Sequence, residues 1–407
     1  MLFKKITGSP PKMVEFTIII SLIMSLVALS IDAILPVMDI IGDDLLVSQR
    51  NDLQFILSFL FLGMALGQIF FGPLSDSIGR KPAIYIGFIM FMVGCLIAFF
   101  AQTFEWLLVG RLLQGMGASS PRTVIIALVR DNYSGPAMAR VMSFAISVFI
   151  LVPIVAPAFG QWVAGFAGWR GIFASFFIFT LVLLVWLALR LPESLPIEKR
   201  HPFSIARIRK SLTYILSHSV VWGYTLAMSF LFGAFIAYLS LSQKIFQVQY
   251  NLGSDFPLYF GLLSSAIGLA ALTNASLVMR VGMQILCEIA MLSAFLLSLL
   301  FLTVAYYYHG IPPLLWLMIY LFMLLFFIGI LFCNLSTLAM QPLGNEAGVG
   351  SAFIGSVSTL LSVIFGAIIS DAYNGTIFSL VIGFVILCFF GLITMRLTAK
   401  YSLTLSS

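Results

Sequence analysis

The feature that most constrains this chain is a succession of twelve long apolar runs separated by short polar breaks. A helix that spans a membrane needs about 20 mostly apolar residues, and only 9% of the 407 residues are charged, against about 25% in a soluble domain. We therefore predict an all-α polytopic membrane protein with twelve transmembrane helices in two six-helix bundles. The predicted helices cover residues 14–36, 53–75, 82–101, 106–130, 138–162, 169–191, 218–243, 256–279, 284–307, 314–340, 347–371 and 375–397.

The basic residues are distributed unequally between the two ends of these helices. With twelve crossings both chain termini share one side, and most Lys and Arg residues lie there, while Arg50, Arg170 and Lys244 lie on the opposite side. Because Lys and Arg are retained on the cytoplasmic side of a bacterial inner membrane, we expect both termini in the cytoplasm. This asymmetry accounts for the formal net charge of +6 without a nucleic-acid partner.

The longest polar connection lies near the midpoint of the chain, from Pro192 to Ser217. It predicts a cytoplasmic linker at 192–217 between an amino-terminal six-helix bundle, residues 1–191, and a carboxy-terminal six-helix bundle, residues 218–407. Transporters built from two such halves place their substrate near the membrane midplane, where the halves meet. The arrangement therefore favours a transporter that works by alternating access.

The connection after the second helix combines glycines with opposite charges. Glycine permits a tight turn and close backbone approach, and an acidic side chain here can meet the first turn of a neighbouring helix or an arginine of another loop. The pattern predicts a gating latch, with an ordinary charged turn as the alternative. The residues of this loop are Gly72, Asp76, Gly79, Arg80 and Lys81.

Two acidic residues fall inside apolar runs, Asp32 in the outer half of helix 1 and Glu288 near the inner end of helix 9. An acid at the centre of a spanning helix costs about 2.5 to 3.5 kcal/mol, so it generally faces a cavity and serves a function. Removal from water favours the neutral carboxyl group, whereas a nearby cation favours the ionised form. We expect Asp32 to carry a proton or bind a cationic substrate, with a structural hydrogen bond as the alternative. Glu288 is a second candidate for proton coupling, with a solvated helix-end residue as the alternative.

Arg111 lies inside helix 4, flanked by glycines that allow another helix to approach closely. Because an arginine stays charged, it needs a partner within the membrane, such as an acid, a backbone carbonyl or an anionic group of the substrate. Arg122 lies three turns further along the helix and either lines the same pathway or supports packing. Gln114 is a further candidate for the cavity wall.

Two prolines at four-residue spacing, Pro153 and Pro157, lie in the middle of helix 5. Each removes a hydrogen bond of the helix, and Gly160 leaves room beside them. The pattern predicts a bend that acts as a hinge or as a proton-tight seal between the halves. A static kink of the kind that membrane helices tolerate is the alternative.

Three of these segments carry a resemblance to a known family. The segment from Gly72 to Lys81 resembles the signature loop of the major facilitator superfamily, and the segment from Arg111 to Gly117 is similar to its second motif. The segment from Pro153 to Gly160 resembles its antiporter motif, although many superfamily antiporters have Gly at the first of these positions. The resemblance implies the major facilitator fold, export by antiport and a coupling role for Arg111. Four shorter segments resemble the Bcr/CflA group of drug-proton antiporters, namely residues 32–36, 129–131, 168–170 and 191–193.

These observations favour a proton-coupled exporter of drugs, metabolites or metal chelators. An importer or facilitator of sugars or other metabolites is the main alternative. The sequence shows neither a repeated filter motif nor a ring of charged residues, either of which would indicate a channel. The three histidines lack the metal-ligand spacing that a membrane enzyme would need. We expect no catalytic residues, no metal and no cofactor, with the proton gradient as energy source. The expected partners of a monomeric chain are a small-molecule substrate, protons and the lipid bilayer.

Overall fold

The structure, a computed structural model, describes residues 11–200 and 213–406. Within these residues it contains helices and turns and no strand. Helices suit apolar segments in a membrane because every backbone N–H and C=O group then pairs within its own segment. The helices are α1 (Met13–Asp32), α2 (Met38–Asp44), α3 (Phe55–Ile78), α4 (Arg80–Phe99), α5 (Phe104–Asn132), α6 (Gly135–Arg190), α7 (Ser219–Gln243), α8 (Phe256–Val281), α9 (Met283–Tyr307), α10 (Leu314–Met340), α11 (Ala347–Asp371) and α12 (Phe378–Ser406).

Eleven segments of the described residues are long and apolar enough to cross a membrane. One of them, Arg140–Arg190, has 51 residues, which corresponds to about 77 Å of helix, more than twice the hydrocarbon thickness of about 30 Å. Gly168 interrupts it with φ 66° and ψ 177°, a conformation that glycine adopts without a steric penalty. The predicted helices 5 and 6 therefore follow each other through a glycine break. The predicted all-helical polytopic fold is confirmed.

The first helix of the structure is shorter than the apolar run from which it was predicted. Helix α1 ends at Asp32, a 3-10 turn covers Leu35–Val37, and α2 begins at Met38. Pro36 explains this end, because a proline has no N–H group to donate to the carbonyl oxygen four residues earlier. That oxygen belongs to Asp32. Helix α1 therefore ends four residues before the approximate predicted boundary at residue 36, and the break falls at the buried acid.

The chain forms two compact units. Unit 1 comprises Met1–Val47 and Phe59–Ile208, and unit 2 comprises Ser48–Ser58 and Arg209–Ser407. Of the predicted linker 192–217, residues 201–212 lie outside the described part of the chain. Its described part contains a 3-10 turn at Ile197–Lys199.

The segment Ser48–Ser58 is fixed within unit 2 by one asparagine. The Nδ2 atom of Asn51 donates to the backbone oxygens of Asp371 (3.1 Å) and Tyr373 (3.3 Å). Its Oδ1 atom accepts a hydrogen bond from Nζ of Lys244 at 2.8 Å. This short segment therefore packs with the second unit, although α2 before it and most of α3 after it belong to the first.

Helix α5 lies against α3 in unit 1 at backbone distance. A Cβ atom built on Gly63 would lie 2.1 Å from the backbone oxygen of Leu112, and one on Gly115 would lie 1.9 Å from that of Leu60. Small residues let membrane helices approach this closely and gain van der Waals contacts. The contact holds α5, and with it Arg111, in a defined position.

Candidate functional site

Asp32 is the last residue of α1 and lies within the first candidate membrane span. It is 4% exposed, and its carboxyl group forms no hydrogen bond or ion pair within the described part of the chain. A buried acid in an apolar segment without a cationic partner favours the neutral form, and access to water favours the ionised form. Its charge can therefore change when its exposure changes.

Arg111 of α5 is fully buried and lies at the same end of α1. Its Nη2 atom donates to the backbone oxygen of Ser30 at 3.0 Å, and its Nη1 atom donates to Oε1 of Gln114 at 2.8 Å. The last carbonyl groups of a helix have no partner inside the helix, and a cation is favourable there because this end carries partial negative charge. Arg111 thus caps α1 two residues before Asp32, and no salt bridge joins the two side chains.

Gln114 has both ends of its amide occupied. Besides accepting from Arg111, it donates from Nε2 to Sγ of Cys95 on α4 at 3.4 Å. The side chain is fully buried. It therefore orients the guanidinium group of Arg111, and the structure places it inside unit 1 among α4 and α5.

Helix α6 touches the break in α1 at Gly160. A Cβ atom at this position would lie 1.8 Å from the backbone oxygen of Ala33, so only glycine permits this approach. Pro157 is buried and Pro153 is half-buried one turn earlier, and both keep helical backbone angles. Their missing N–H groups leave the carbonyl oxygens of Phe149 and Pro153 without helical donors.

These contacts bring three of the predicted elements together. Arg111 of α5 contacts the backbone of Ser30, and Gly160 of α6 contacts the backbone of Ala33. The buried acid Asp32 lies between these two contacts. No spacing rule predicts that these residues are neighbours, because they are far apart along the chain. The common element is the helix end that Pro36 creates.

The predicted gating latch, the loop with Asp76, Gly79, Arg80 and Lys81 that is called the loop latch below, forms a second cluster of unit 1. Arg80 is 4% exposed and binds Asp76 through Nη1 (2.6 Å) and Asp131 through Nε (3.1 Å). Nη1 also donates to Oγ of Ser75 at 2.9 Å. Gly79 forms the turn between α3 and α4 with φ 111°, whereas Gly72 lies inside α3 and not at the bend that the sequence suggested. The helix simply continues through Gly72, and one glycine is enough for the turn.

Glu193 completes this cluster, although it is not among the site residues predicted from the sequence. Its carboxylate accepts the backbone N–H groups of Arg80 (2.9 Å) and Lys81 (3.1 Å), the first two residues of α4. Lys81 in turn donates from Nζ to the backbone oxygens of Ala188 (3.0 Å) and Leu191 at the end of α6. The carboxylate of Glu193 thus lies at the partially positive amino end of α4, and the ammonium group of Lys81 lies at the partially negative carboxy end of α6. The available signal was a carboxylate directly after a long helix.

Two predicted residues lie outside these clusters. Glu288 is half-buried in α9 of unit 2 and forms no hydrogen bond or ion pair with described residues. Arg122 is half-buried in α5 of unit 1 and likewise has no hydrogen-bonding or ionic partner among them. The described residues contain no group of three His, Cys, Asp or Glu placed to hold a metal ion.

Comparison with known proteins gives a match over most of the chain. The model of the Major Facilitator Superfamily matches residues 20–367. The uncharacterized MFS-type transporter YdgK of Bacillus subtilis is 32% identical over 84% of this chain and 84% of its own length. A bicyclomycin resistance protein homolog of Haemophilus influenzae is 28% identical over 88% of this chain and 89% of its own. The multidrug resistance protein MdtL of Vibrio parahaemolyticus is 24% identical over 88% and 90%.

Solved structures share the fold at low sequence identity. A D-xylose-proton symporter superposes with a TM-score of 0.75 at 15% identity, over 95% of this chain and 97% of its own. The xylose transporter XylE of E. coli, in a partially occluded inward open conformation, superposes with a TM-score of 0.72 at 15% identity, over 96% and 97%. At this identity the likeness concerns the fold alone.

Proposed function

The chain belongs to the Major Facilitator Superfamily, and from this premise we propose that it exports small organic molecules in exchange for protons. As a member of this family it is a multi-pass membrane transporter and not an enzyme. Alternating access of the binding site to the two sides of a membrane is the mechanism that a duplicated helical bundle supports. The proton gradient is the energy source in this proposal, and no cofactor takes part.

The observation that carries the proposal is Asp32, a buried acid without a counter-charge at the broken end of α1. A carboxyl group in this setting binds a proton when water is excluded and releases it when water enters. Transport of a proton requires this change of charge at each half of the cycle. A structural carboxylate would instead keep a fixed partner, as Asp131 does with Arg80.

Arg111 has a positioning role in the proposed cycle. Two of its nitrogen atoms are engaged by Ser30 and Gln114, so the guanidinium group fixes the helix end and does not neutralise Asp32 through a salt bridge. Asp32 is therefore protonated or ionised according to access, while the backbone around it stays in place.

The direction of transport rests on the relatives. Several are named for drug resistance, among them the bicyclomycin resistance protein homolog, the chloramphenicol resistance protein CraA of Acinetobacter baumannii and the multidrug resistance protein MdtL. These names favour efflux over uptake. The excess of Lys and Arg on one side and the bacterial relatives support an inner-membrane protein with both termini in the cytoplasm. We take the monomer as the transporting unit.

Uptake into everted vesicles or proteoliposomes with an acidic interior tests the proposal, using a compound found by comparing efflux from cells with and without this chain. Wild-type protein should accumulate the compound against its gradient. Asp32→Asn should abolish this accumulation and retain counterflow exchange of a neutral compound, because the amide hydrogen-bonds but does not titrate. Asp255→Asn, at an exposed position, is the matched control and should behave as wild type. Accumulation by folded Asp32→Asn protein would overturn the assignment.

A further inference from the structure

Arg122 differs from the other arginines associated with the spans of unit 1, because Arg130 and Arg140 are exposed and the remaining ones have partners. Arg111 caps the end of α1, Arg80 binds two aspartates, Arg170 binds Asp44 and Arg190 binds Glu15. Arg122 lies far from both ends of α5 and has neither a hydrogen-bond acceptor nor an acid among the described residues. A guanidinium group inside a membrane segment is costly unless it is paired or hydrated. The half-buried guanidinium group therefore leaves its donors to water, to lipid or to a bound molecule.

The position of Arg122 on α5 points to the same side as Arg111. The two residues are separated by about three helical turns and so lie nearly in line along the helix. Arg122 also lies about 15 Å of helix before the end of α5 at Asn132. An arginine side chain does not span that distance, so it does not reach the end of the helix.

A second unmatched donor lies on the neighbouring helix α3. Gln68 is 5% exposed, and its Nε2 atom is buried without an acceptor among the described residues. An unsatisfied buried donor is costly in the same way as an unpaired charge. Like Arg122, this side chain offers hydrogen atoms and lacks an oxygen to receive them.

The register of α3 and α5 brings these donors to one level. Gly63 of α3 meets Leu112 of α5, and Gly67 meets Ser119, so the two helices run in the same direction. Gly115 faces the backbone of Leu60 and Met64. On α3, Gln68 lies one turn beyond Met64 and on the same side of the helix as Met64. On α5, Arg122 lies two turns beyond Gly115 and on the same side of the helix as Gly115. Along the helix axes the two donors therefore lie at about the same level.

We propose that Arg122 and Gln68 form a subsite for an acidic group of the transported molecule, so that carboxylic acids are substrates of this protein. The guanidinium group binds a carboxylate through two parallel hydrogen bonds, and the amide of Gln68 donates a third. This proposal rests on the proposed export function and specifies its substrate class. It assigns substrate binding to α3 and α5, whereas Asp32 at the end of α1 carries the proton.

Binding measurements on the full chain test the subsite directly. The probes are N-acetyl-phenylalanine, N-acetyl-tryptophan and naphthaleneacetic acid, each compared with its primary amide, in nanodiscs of phosphatidylcholine. We expect at least one acid to bind about tenfold more tightly than its amide, a difference of about 1.4 kcal/mol. Arg122→Gln should remove this preference and leave amide affinity within about twofold, and Arg122→Lys should restore part of it. Arg130→Gln, at an exposed position of the same helix, is the control and should retain the preference.

Three results would overturn the subsite. The first is that no acid binds more tightly than its amide, and the second is that Arg122→Gln and Arg130→Gln weaken acid binding equally. The third is that Arg122→Gln protein keeps the acid preference but binds less phosphatidylglycerol in detergent than wild type does, which would assign the donors to a lipid phosphate. If Arg122→Gln protein does not fold, Gln68→Met is tested in its place. This variant should bind the acid about threefold more weakly and the amide as tightly as wild type does.

The binding assay and the transport assay fail independently. Binding in nanodiscs needs no proton gradient, so an absent acid preference together with Asp32-dependent accumulation would reject only the subsite. Acid binding that depends on Arg122, without gradient-driven accumulation, would reject only proton-coupled export.

Discussion

At the scale of single residues, the acid, the arginine and the glycine of unit 1 act on one another through the backbone of α1. Pro36 ends the helix at Asp32, Arg111 donates to the carbonyl oxygen of Ser30, and Gly160 leaves space for that of Ala33. None of these contacts involves the carboxyl group itself. A substitution at position 160 should therefore affect proton coupling by moving the helix end that carries Asp32.

Gly160→Ala tests this backbone contact. The added methyl group would lie 1.8 Å from the oxygen of Ala33, and a backbone atom moves away less easily than a flexible side chain. We expect a loss of about 1 to 3 kcal/mol in stability, the range for overpacking a close contact, together with impaired proton-driven transport. Thermal unfolding in detergent and vesicle uptake measure the two effects.

Gly165→Ala is the matched control on the same helix. A Cβ atom at Gly165 has nothing within 4 Å, and alanine is a better helix former than glycine by about 1 kcal/mol. Stability and transport should therefore be unchanged or slightly increased. Equal losses for the two variants would show that the contact with Ala33 is not what limits residue 160.

At the scale of elements, α4 and α6 are joined at their ends by charged side chains that hydrogen-bond to the backbone of the other helix. Glu193 after α6 accepts two N–H groups of the first turn of α4, and Lys81 of α4 donates to the last carbonyl groups of α6. Arg80 extends this contact to α3 and α5 through Asp76 and Asp131. The loop latch is thus a connection among four helices of unit 1, which suits control of helix movement better than recognition of a substrate.

Glu193→Gln should weaken this connection. The amide is a poorer acceptor than the carboxylate and lacks the charge that the α4 amino terminus favours, at a cost of about 1 to 2 kcal/mol. We expect slow transport with substrate affinity changed by less than about threefold. Glu198→Gln, at an exposed position nearby, should transport normally. A large loss of affinity in folded Glu193→Gln protein would argue against a gating role.

The paired prolines of α6 allow a separate test of coupling. Pro157→Ala supplies an N–H group to the carbonyl oxygen of Pro153 and stiffens the helix beside Gly160. If this part of α6 seals the proton pathway, proteoliposomes with Pro157→Ala protein should leak protons without transporting substrate. Pro257→Ala is the control, because the first turn of α8 has no helical bond to regain there. Tight coupling at a normal rate would assign the prolines a structural role only.

At the scale of the whole molecule, the apolar runs were sufficient to predict the helical membrane fold, because a lipid environment leaves the backbone few alternatives. The end of α1 could have been predicted from Pro36 alone. The contacts of Glu193 could not, since more than 100 residues separate it from Arg80 and no spacing rule relates them. The side that Arg122 presents to α3 likewise depends on the close approach at Gly63 and Gly115, which only the packed helices reveal.

The central claim, that Asp32 exchanges its proton during transport, is tested most directly by proton release from purified protein. A compound identified by efflux is added to detergent-solubilised protein in weakly buffered solution near neutral pH, and a pH indicator follows the protons released. Wild-type and Asp255→Asn protein should release protons when the compound binds, and Asp32→Asn protein should bind the compound without releasing any. Proton release by folded Asp32→Asn protein equal to that of wild type would contradict the account and make Glu288 the next residue to test.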